Sequence, residues 1–185
     1  MGPFEFIFGL FGLLLGLCIA EIFGGLGRAY EQRRDTRLGL LTPLLAALIL
    51  SDLVSFWGIL WQEQADIPMN PVTLMIGTAF GGIYYLAAYI VFPKGQAGTS
   101  YDDHFFAVRR LILGLSIIAF FGLALVQNLF THTLDTFDFL LTSAFFAPTY
   151  AVAFLSNGRK VVTIAMAMLI VLNQVGAITQ VIYPN

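Results

Sequence analysis

The sequence has little charge: only 11% of its 185 residues are Asp, Glu, Lys or Arg, whereas 58% are hydrophobic. Soluble domains contain about 25% charged and about 45–50% apolar residues. A soluble domain of this length could not cover so much apolar surface with polar side chains. The mean hydropathy of +0.84 therefore predicts an integral membrane protein. The formal net charge of −2 is too small to indicate a nucleic-acid partner.

Residues that carry out chemistry are also scarce. The single cysteine, Cys18, excludes an intramolecular disulfide and is expected to act as a small hydrophobic residue. The two histidines, His104 and His132, are separated by a hydrophobic run, which excludes a haem held between two histidines at one depth. The sequence contains no GxxxxGK[ST], GxSxG, HExxH or CxxC motif. We therefore expect a protein that is not an enzyme and that needs no metal or other cofactor.

Six hydrophobic runs are long enough to cross a bilayer, which requires roughly 17–25 apolar residues in a helix. Because backbone groups in lipid must be paired within a segment, and no strand-like alternation occurs, we expect these runs to be helices. The sequence thus predicts an all-α, polytopic membrane protein in which residues 1–185 form one bundle. The predicted spans are Phe6–Gly27, Leu38–Trp61, Val72–Phe92, Leu111–Phe130, Phe139–Leu155 and Val161–Tyr183. Residues His104–Arg110 are expected to form a short interfacial helix that leads into the fourth span.

All nine lysines and arginines lie on one side of this predicted bundle. They follow the first, third and fifth spans, so the other two connections and both ends carry none. Basic residues in short loops are enriched on the cytoplasmic side of a membrane. We therefore predict that both termini lie outside the cytoplasm, with the bacterial inner (cytoplasmic) membrane as the location. The nine residues are Arg28, Arg33, Arg34, Arg37, Lys94, Arg109, Arg110, Arg159 and Lys160.

Two carboxylates, Glu21 and Asp52, fall inside predicted spans. With a helical rise of ~1.5 Å per residue, Glu21 lies ~10 Å and Asp52 ~20 Å from the cytoplasmic end of its span. Asn173 and Gln174 of the sixth span also lie ~20 Å deep, which predicts a polar layer with Asp52. An ionisable residue at such depth is a candidate functional site. These four residues are therefore candidates for a proton or cation path.

A second polar layer is predicted nearer the cytoplasmic side, where Glu21 would lie beside Tyr84, Tyr85, Thr149 and Tyr150. The structural alternative is that each acid is satisfied by a hydroxyl group or by a basic residue that reaches inward. Arg28 and Arg34 are the candidates to pair with Glu21. Asp52 lies further from any basic residue. Asn173 and Gln174 are equally compatible with hydrogen bonds that join helices.

Small residues recur every four positions in the first span, at Gly12, Gly16, Ala20 and Gly24. A small-xxx-small stripe lets another helix approach closely. We expect a span of the same chain to fill this groove, and a second protomer is the alternative.

Two functions are compatible with these features. The first is a small channel or transporter-like protein whose intramembrane carboxylates pass protons or cations. The alternative is a non-enzymatic accessory subunit of a larger membrane complex, one that binds lipid, a quinone or a pigment through its 18 phenylalanines. The lipid bilayer is the expected partner, and a homo-oligomer or a larger complex is compatible with either function.

Overall fold

The computed structural model describes residues 3–34, 36, 38–62, 68, 70–94, 100–126 and 136–182. Within them the chain forms six α-helices, one short 3-10 helix at Gln32–Arg34 and no β-strand. The α-helices are α1 (Pro3–Glu31), α2 (Leu41–Gln62), α3 (Pro71–Val91), α4 (Tyr101–Val126), α5 (Thr136–Leu155) and α6 (Arg159–Ile182).

The helices match the predicted spans, and the prediction of an all-α, multi-pass membrane protein is confirmed. Among the described residues, five helices are long and apolar enough to cross a membrane, and the apolar segment Phe139–Leu155 of α5 is shorter. The α5 helix continues through Pro148. The predicted ends of the fourth span at Phe130 and of the sixth at Tyr183 lie outside the described residues.

The stretch His104–Arg110, expected as a short helix that leads into the fourth span, is helical and forms the start of one continuous helix from Tyr101 to Val126. No proline or glycine occurs between Tyr101 and Leu113, so nothing interrupts the backbone hydrogen bonds where the charged segment meets the apolar one.

Arg109 is charged but only 1% exposed. Its Nη2 atom donates a hydrogen bond to Asn157 Oδ1 at 2.9 Å, and its guanidinium group lies over the Phe106 ring.

The α2 helix is the centre of the bundle. Half of the apolar segment of α2 is buried inside the bundle, against 22–39% of the corresponding segments of the other four long helices. It packs most extensively against α6 and also contacts α4, α3 and α1. The α5 helix packs against α6 and α4. A polar residue on α2 can therefore meet side chains from most of the other helices.

Glycines of α3 and α1 allow the closest helix contact, between α1 and α3. The Phe11 ring lies directly over Gly77, the Phe92 ring lies over Gly25, and a Cβ atom at Gly81 would meet Leu14 at 3.0 Å. The expectation that the Gly12–Gly24 stripe packs within the chain holds only for Gly12, which faces Trp57. The rest of the stripe is Gly16, Ala20 and Gly24, and these residues are exposed. The large side chains of α1 drive its packing, because they bury more apolar area than glycines can.

Three connections meet at one end of the bundle, which we call the basic end because Arg28, Lys94, Arg109 and Arg159 lie there. Tyr101 links them: its hydroxyl group donates to Gln32 Oε1 at 3.2 Å, and its carbonyl group accepts from Thr42 Oγ1 at 3.0 Å. Asp102 pairs with Arg159 at 2.8 Å. Gly39 has a φ of +65° and lies against Asp102, so a Cβ atom there would be both strained and obstructed.

Candidate functional site

The predicted layer of Asp52, Asn173 and Gln174 is formed by direct contact between α2 and α6. The Asn173 amide donates a hydrogen bond to Asp52 Oδ1 at 2.6 Å. The Gln174 amide donates to Ser51 Oγ at 2.8 Å. Depth counted along the helices therefore placed these residues correctly, and two consecutive pairs join α2 to α6.

The Asp52 carboxyl group faces a small cavity of about 50 Å³, where five helices converge. The α2 helix contributes Asp52 and Ser55, and α6 contributes Asn173. Tyr84 comes from α3, Ser116 from α4 and Tyr150 from α5. The space is sufficient for a few water-sized groups. The described polar groups that line it are a carboxylate, an amide and four hydroxyl groups, and none of the described lining residues is a lysine, arginine or histidine.

Asp52 Oδ1 accepts the Asn173 hydrogen bond, whereas Oδ2 has no partner at ideal hydrogen-bond geometry and lies near the hydroxyl groups of Ser116 and Tyr150. Asp52 is 8% exposed and Ser116 is 2% exposed. Within the described part of the chain, Asp52 Oδ2, Ser55 Oγ and Ser116 Oγ have no hydrogen-bond partner. Buried polar atoms are normally paired, so a group of three such oxygens around one cavity calls for a functional explanation. The cavity presents acceptor oxygens to whatever small group enters it.

Helix direction explains why Tyr84 and Tyr150 reach Asp52 and not Glu21, the residue with which the sequence had grouped them. Side chains on a helix tilt toward its N-terminus. The α3 and α5 helices run toward the basic end, so their tyrosine side chains tilt away from it. The α2 helix runs in the opposite direction, so Asp52 tilts toward that end. The three side chains therefore converge, although their Cα atoms lie at different depths.

Glu21 lies in a separate polar pocket at the basic end. Its Oε1 atom is 2.9 Å from Lys94 Nζ and 3.4 Å from Arg28 Nη2. The ammonium group of Lys94 also lies 3.0 Å from the centroid of the Tyr89 ring. This pocket has no lining residue in common with the Asp52 cavity. The alternative that basic residues satisfy Glu21 is thus realised, with Arg28 as foreseen and with Lys94 as the nearer partner.

The two remaining residues of the predicted second layer lie outside both sites. Tyr85 is 42% exposed on the surface of α3, where its ring lies 6.4 Å from that of Tyr89. Thr149 is buried, and its hydroxyl group donates to the Phe145 carbonyl oxygen at 2.8 Å within α5. Neither residue lines the Asp52 cavity.

Sequence reasoning missed Ser55 and Ser116 as members of the site. A serine in an apolar helix is a weak signal, because its hydroxyl group is often satisfied by the helix backbone. The available signal was position: Ser55 follows Asp52 by three residues and so lies on the same face of α2. In the part of the chain that the structure describes, no three His, Cys, Asp or Glu side chains come together as metal ligands.

Comparison with known proteins gives no significant match, whether the chain is compared with protein-family models, with curated proteins or with solved structures.

Proposed function

We propose that this membrane protein is a small channel or transporter that passes protons or monovalent cations, with Asp52 as the binding group. The observation that supports this most directly is the available Oδ2 atom of a buried carboxylate at the convergence of five helices. Glu21 has a structural role in this proposal, since Lys94 and Arg28 already neutralise it. The bacterial inner membrane is the proposed location.

The composition of the cavity supports a singly charged ion. An aspartate at the centre of a membrane helix costs roughly 2.5–3.5 kcal/mol, so its retention there requires a compensating partner. A proton or a monovalent cation neutralises one carboxylate, and neighbouring hydroxyl groups supply further oxygen contacts. A divalent cation such as Ca²⁺ takes about 6–8 oxygen ligands, usually with more than one carboxylate. Among the described residues that line this cavity, Asp52 is the only carboxylate.

The test is ion flux through the purified protein in liposomes that contain a pH-sensitive dye. Asp52→Asn is expected to abolish the flux, because an amide binds neither a proton nor a cation as a carboxylate does. The substitution keeps an oxygen that accepts the hydrogen bond from Asn173, so the fold should be retained. Asp103→Asn is the matched control, because Asp103 is exposed on α4 and outside the cavity. Flux in Asp52→Asn equal to that of the native chain would show that the proposal is wrong.

A second candidate, an accessory subunit of a larger membrane complex, is favoured by the outward-facing part of the α1 stripe. A Cβ atom at Gly16 would have no neighbour within 4 Å, so Gly16→Leu should leave the single chain folded. The same change would block the approach of a partner helix. Purification in mild detergent would then recover a partner protein with the native chain and lose it with Gly16→Leu. Recovery of the native chain alone would exclude this candidate.

A further inference from the structure

An apolar groove of about 280 Å³ lies between α4 and α5, on the outer surface of the bundle. Phe121 of α4 and Leu155 of α5 line it and are 44% and 68% exposed. Its walls are almost entirely aromatic and aliphatic. Ligand pockets in proteins measure about 300–1,000 Å³, so the groove suits a small molecule.

The groove and the Asp52 cavity are neighbours with a common wall. The Phe120, Phe146 and Tyr150 side chains line both spaces. The Phe120 and Phe146 rings stack with centroids 5.6 Å apart, and the Phe146 and Tyr150 rings stack with centroids 6.5 Å apart. Rotation of one of these side chains would join the two spaces, giving an apolar compartment open to lipid and a small polar compartment behind it.

The charges in the two compartments favour one kind of occupant. No described lysine, arginine or histidine lines either space, whereas Asp52 Oδ2 faces the inner one without a partner at ideal hydrogen-bond geometry. An unpaired carboxylate attracts a cation, and the faces of aromatic rings do so as well. The inner compartment is too small for an aromatic ring but large enough for an ammonium group.

We propose that the groove and the Asp52 cavity together form a binding site for a lipid-soluble primary amine that enters laterally from the bilayer between α4 and α5. The aromatic or aliphatic body lies in the groove, and the ammonium head donates hydrogen bonds to Asp52 Oδ2 and to nearby hydroxyl groups. This site rests on the proposed function, because the amine and the transported ion bind the same carboxylate.

Protons and the amine compete for Asp52 in this arrangement, so binding weakens as the pH falls. The described titratable groups that line the cavity with Asp52 are Tyr84 on α3 and Tyr150 on α5. Cys18 of α1 lies against the α3 backbone, where its thiol donates to the Gly81 carbonyl oxygen at 3.9 Å. The α4 and α6 helices contribute Ser116 and Asn173, which do not titrate. Tyrosine and cysteine have ordinary pKa values above 8, so a loss of binding on acidification would come from Asp52.

The test is equilibrium binding of 4-phenylbutylamine to the full chain in lipid nanodiscs, with binding to empty nanodiscs subtracted. Pentylbenzene is the matched neutral probe, because a methyl group replaces its ammonium head. We expect saturable binding of the amine alone, with an affinity that falls as the pH is lowered. Equal binding of both probes would show that the groove takes apolar chains without regard to charge, and would overturn the proposal.

Two variants test the two compartments separately. Asp52→Asn should weaken amine binding by about tenfold or more and remove its pH dependence, since it removes a charge-assisted hydrogen bond. Ala151→Phe fills the groove and should also abolish binding, because Ala151 lines it. Val152→Phe is the matched control: Val152 is exposed on α5 and does not line the groove.

The outcomes separate this inference from the proposed function. Amine binding that survives Ala151→Phe, or no saturable binding while Asp52-dependent ion flux persists, overturns the lateral site and leaves the ion path intact. Flux that is unchanged in Asp52→Asn overturns the ion path itself. Competition between the amine and the flux in the native chain, lost in Ala151→Phe but not in Val152→Phe, supports both.

Discussion

Asp52 and Glu21 are both carboxylates within apolar helices, but their surroundings differ in charge. Glu21 lies beside two cations at the basic end, and such pairs are common where side chains reach the membrane surface. Asp52 has only neutral polar neighbours: its Oδ1 atom accepts one amide hydrogen bond and its Oδ2 atom faces a cavity. The difference in charge, and not depth alone, separates a structural acid from a binding site.

The Asp52–Asn173 pair is expected to couple α2 and α6 energetically. Asn173→Leu leaves a buried carboxylate without its donor and should lower the free energy of unfolding by about 1–3 kcal/mol. In the double variant Asp52→Leu with Asn173→Leu, neither member of the pair is left without the other, so its loss should be smaller than the sum of the single losses. Hydrogen bonds between membrane helices couple by about 0.6 kcal/mol on average and about 1.7 at most.

The measurement is a double-mutant cycle from unfolding curves in bicelles. Val54→Leu combined with Asn173→Leu is the control, because Val54 is exposed on α2 and touches neither partner. The losses in free energy of unfolding from these two control substitutions should be additive. Strict additivity for the Asp52 and Asn173 changes would contradict the proposed pairing.

For individual residues, the sequence predicts which polar side chains lie at the same depth more readily than it predicts the full set of residues around Asp52. Helical rise alone brought Asp52 level with Asn173 and Gln174, since counting residues measures depth along an axis. Counting depth in this way grouped Tyr84 and Tyr150 with the wrong carboxylate, because the end of a long side chain lies at a different depth from its Cα atom. Ser116 gave no signal at all, as its role depends on which face of α4 meets α2.

At the scale of the element, the α1–α3 contact shows how glycine acts in this bundle. The regular stripe on α1 is mostly exposed, whereas the less regular glycines Gly25, Gly77 and Gly81 receive side chains of the neighbouring helix. The regular stripe of small residues on α1 therefore shows that a helix could approach closely, but it does not show which helix does so. Which glycines are used depends on the direction from which Phe11, Leu14 and Phe92 arrive.

Gly77→Ala is expected to destabilise the protein, because the new methyl group would overlap the buried Phe11 ring. Overpacking of this kind costs about 1–3 kcal/mol. Gly82→Ala on the same helix is the matched control, since a Cβ atom there has no neighbour within 4 Å. Thermal unfolding in detergent micelles compares the two. A loss of stability in Gly82→Ala as large as in Gly77→Ala would argue against this packing.

Hydrophobic length predicted six helices but not where α4 begins. Charged residues occur from Asp102 to Arg110, just before the apolar run. A span predicted from the length of that run therefore begins after them. In the structure Asp102 pairs with Arg159, Arg109 donates a hydrogen bond to Asn157, and His104 contacts the Ile90 carbonyl oxygen. Tertiary contacts thus extend the helix by about two turns or more beyond the apolar stretch.

For the whole molecule, the clustering of basic residues predicts orientation. The basic end should face the cytoplasm, because positive charges in short loops resist translocation. Cys18 is fully buried and should not react with maleimides. Any labelling of a variant with a second cysteine would therefore come from the introduced residue. A membrane-impermeant maleimide should label Thr131→Cys in intact cells with the outer membrane made permeable.

Gly158→Cys is the counterpart at the basic end, where Gly158 is exposed and a Cβ atom makes only ordinary contacts. It should be labelled only after the inner membrane is opened. Labelling in the reverse order would show that the bundle is inserted the other way round.

The Asp52–Asn173 hydrogen bond also has a consequence for the order in which the chain is made, since 121 residues separate its two members. Ribosomes add about 5–20 residues per second, so Asn173 follows Asp52 by about 6–24 s. During that interval α2 has no α6 beside it. The newly synthesised aspartate must therefore wait near lipid as the neutral acid, or beside the insertion machinery, until the last helix arrives. Slowing translation between α2 and α6 should lengthen this exposed stage and favour degradation of the unfinished protein.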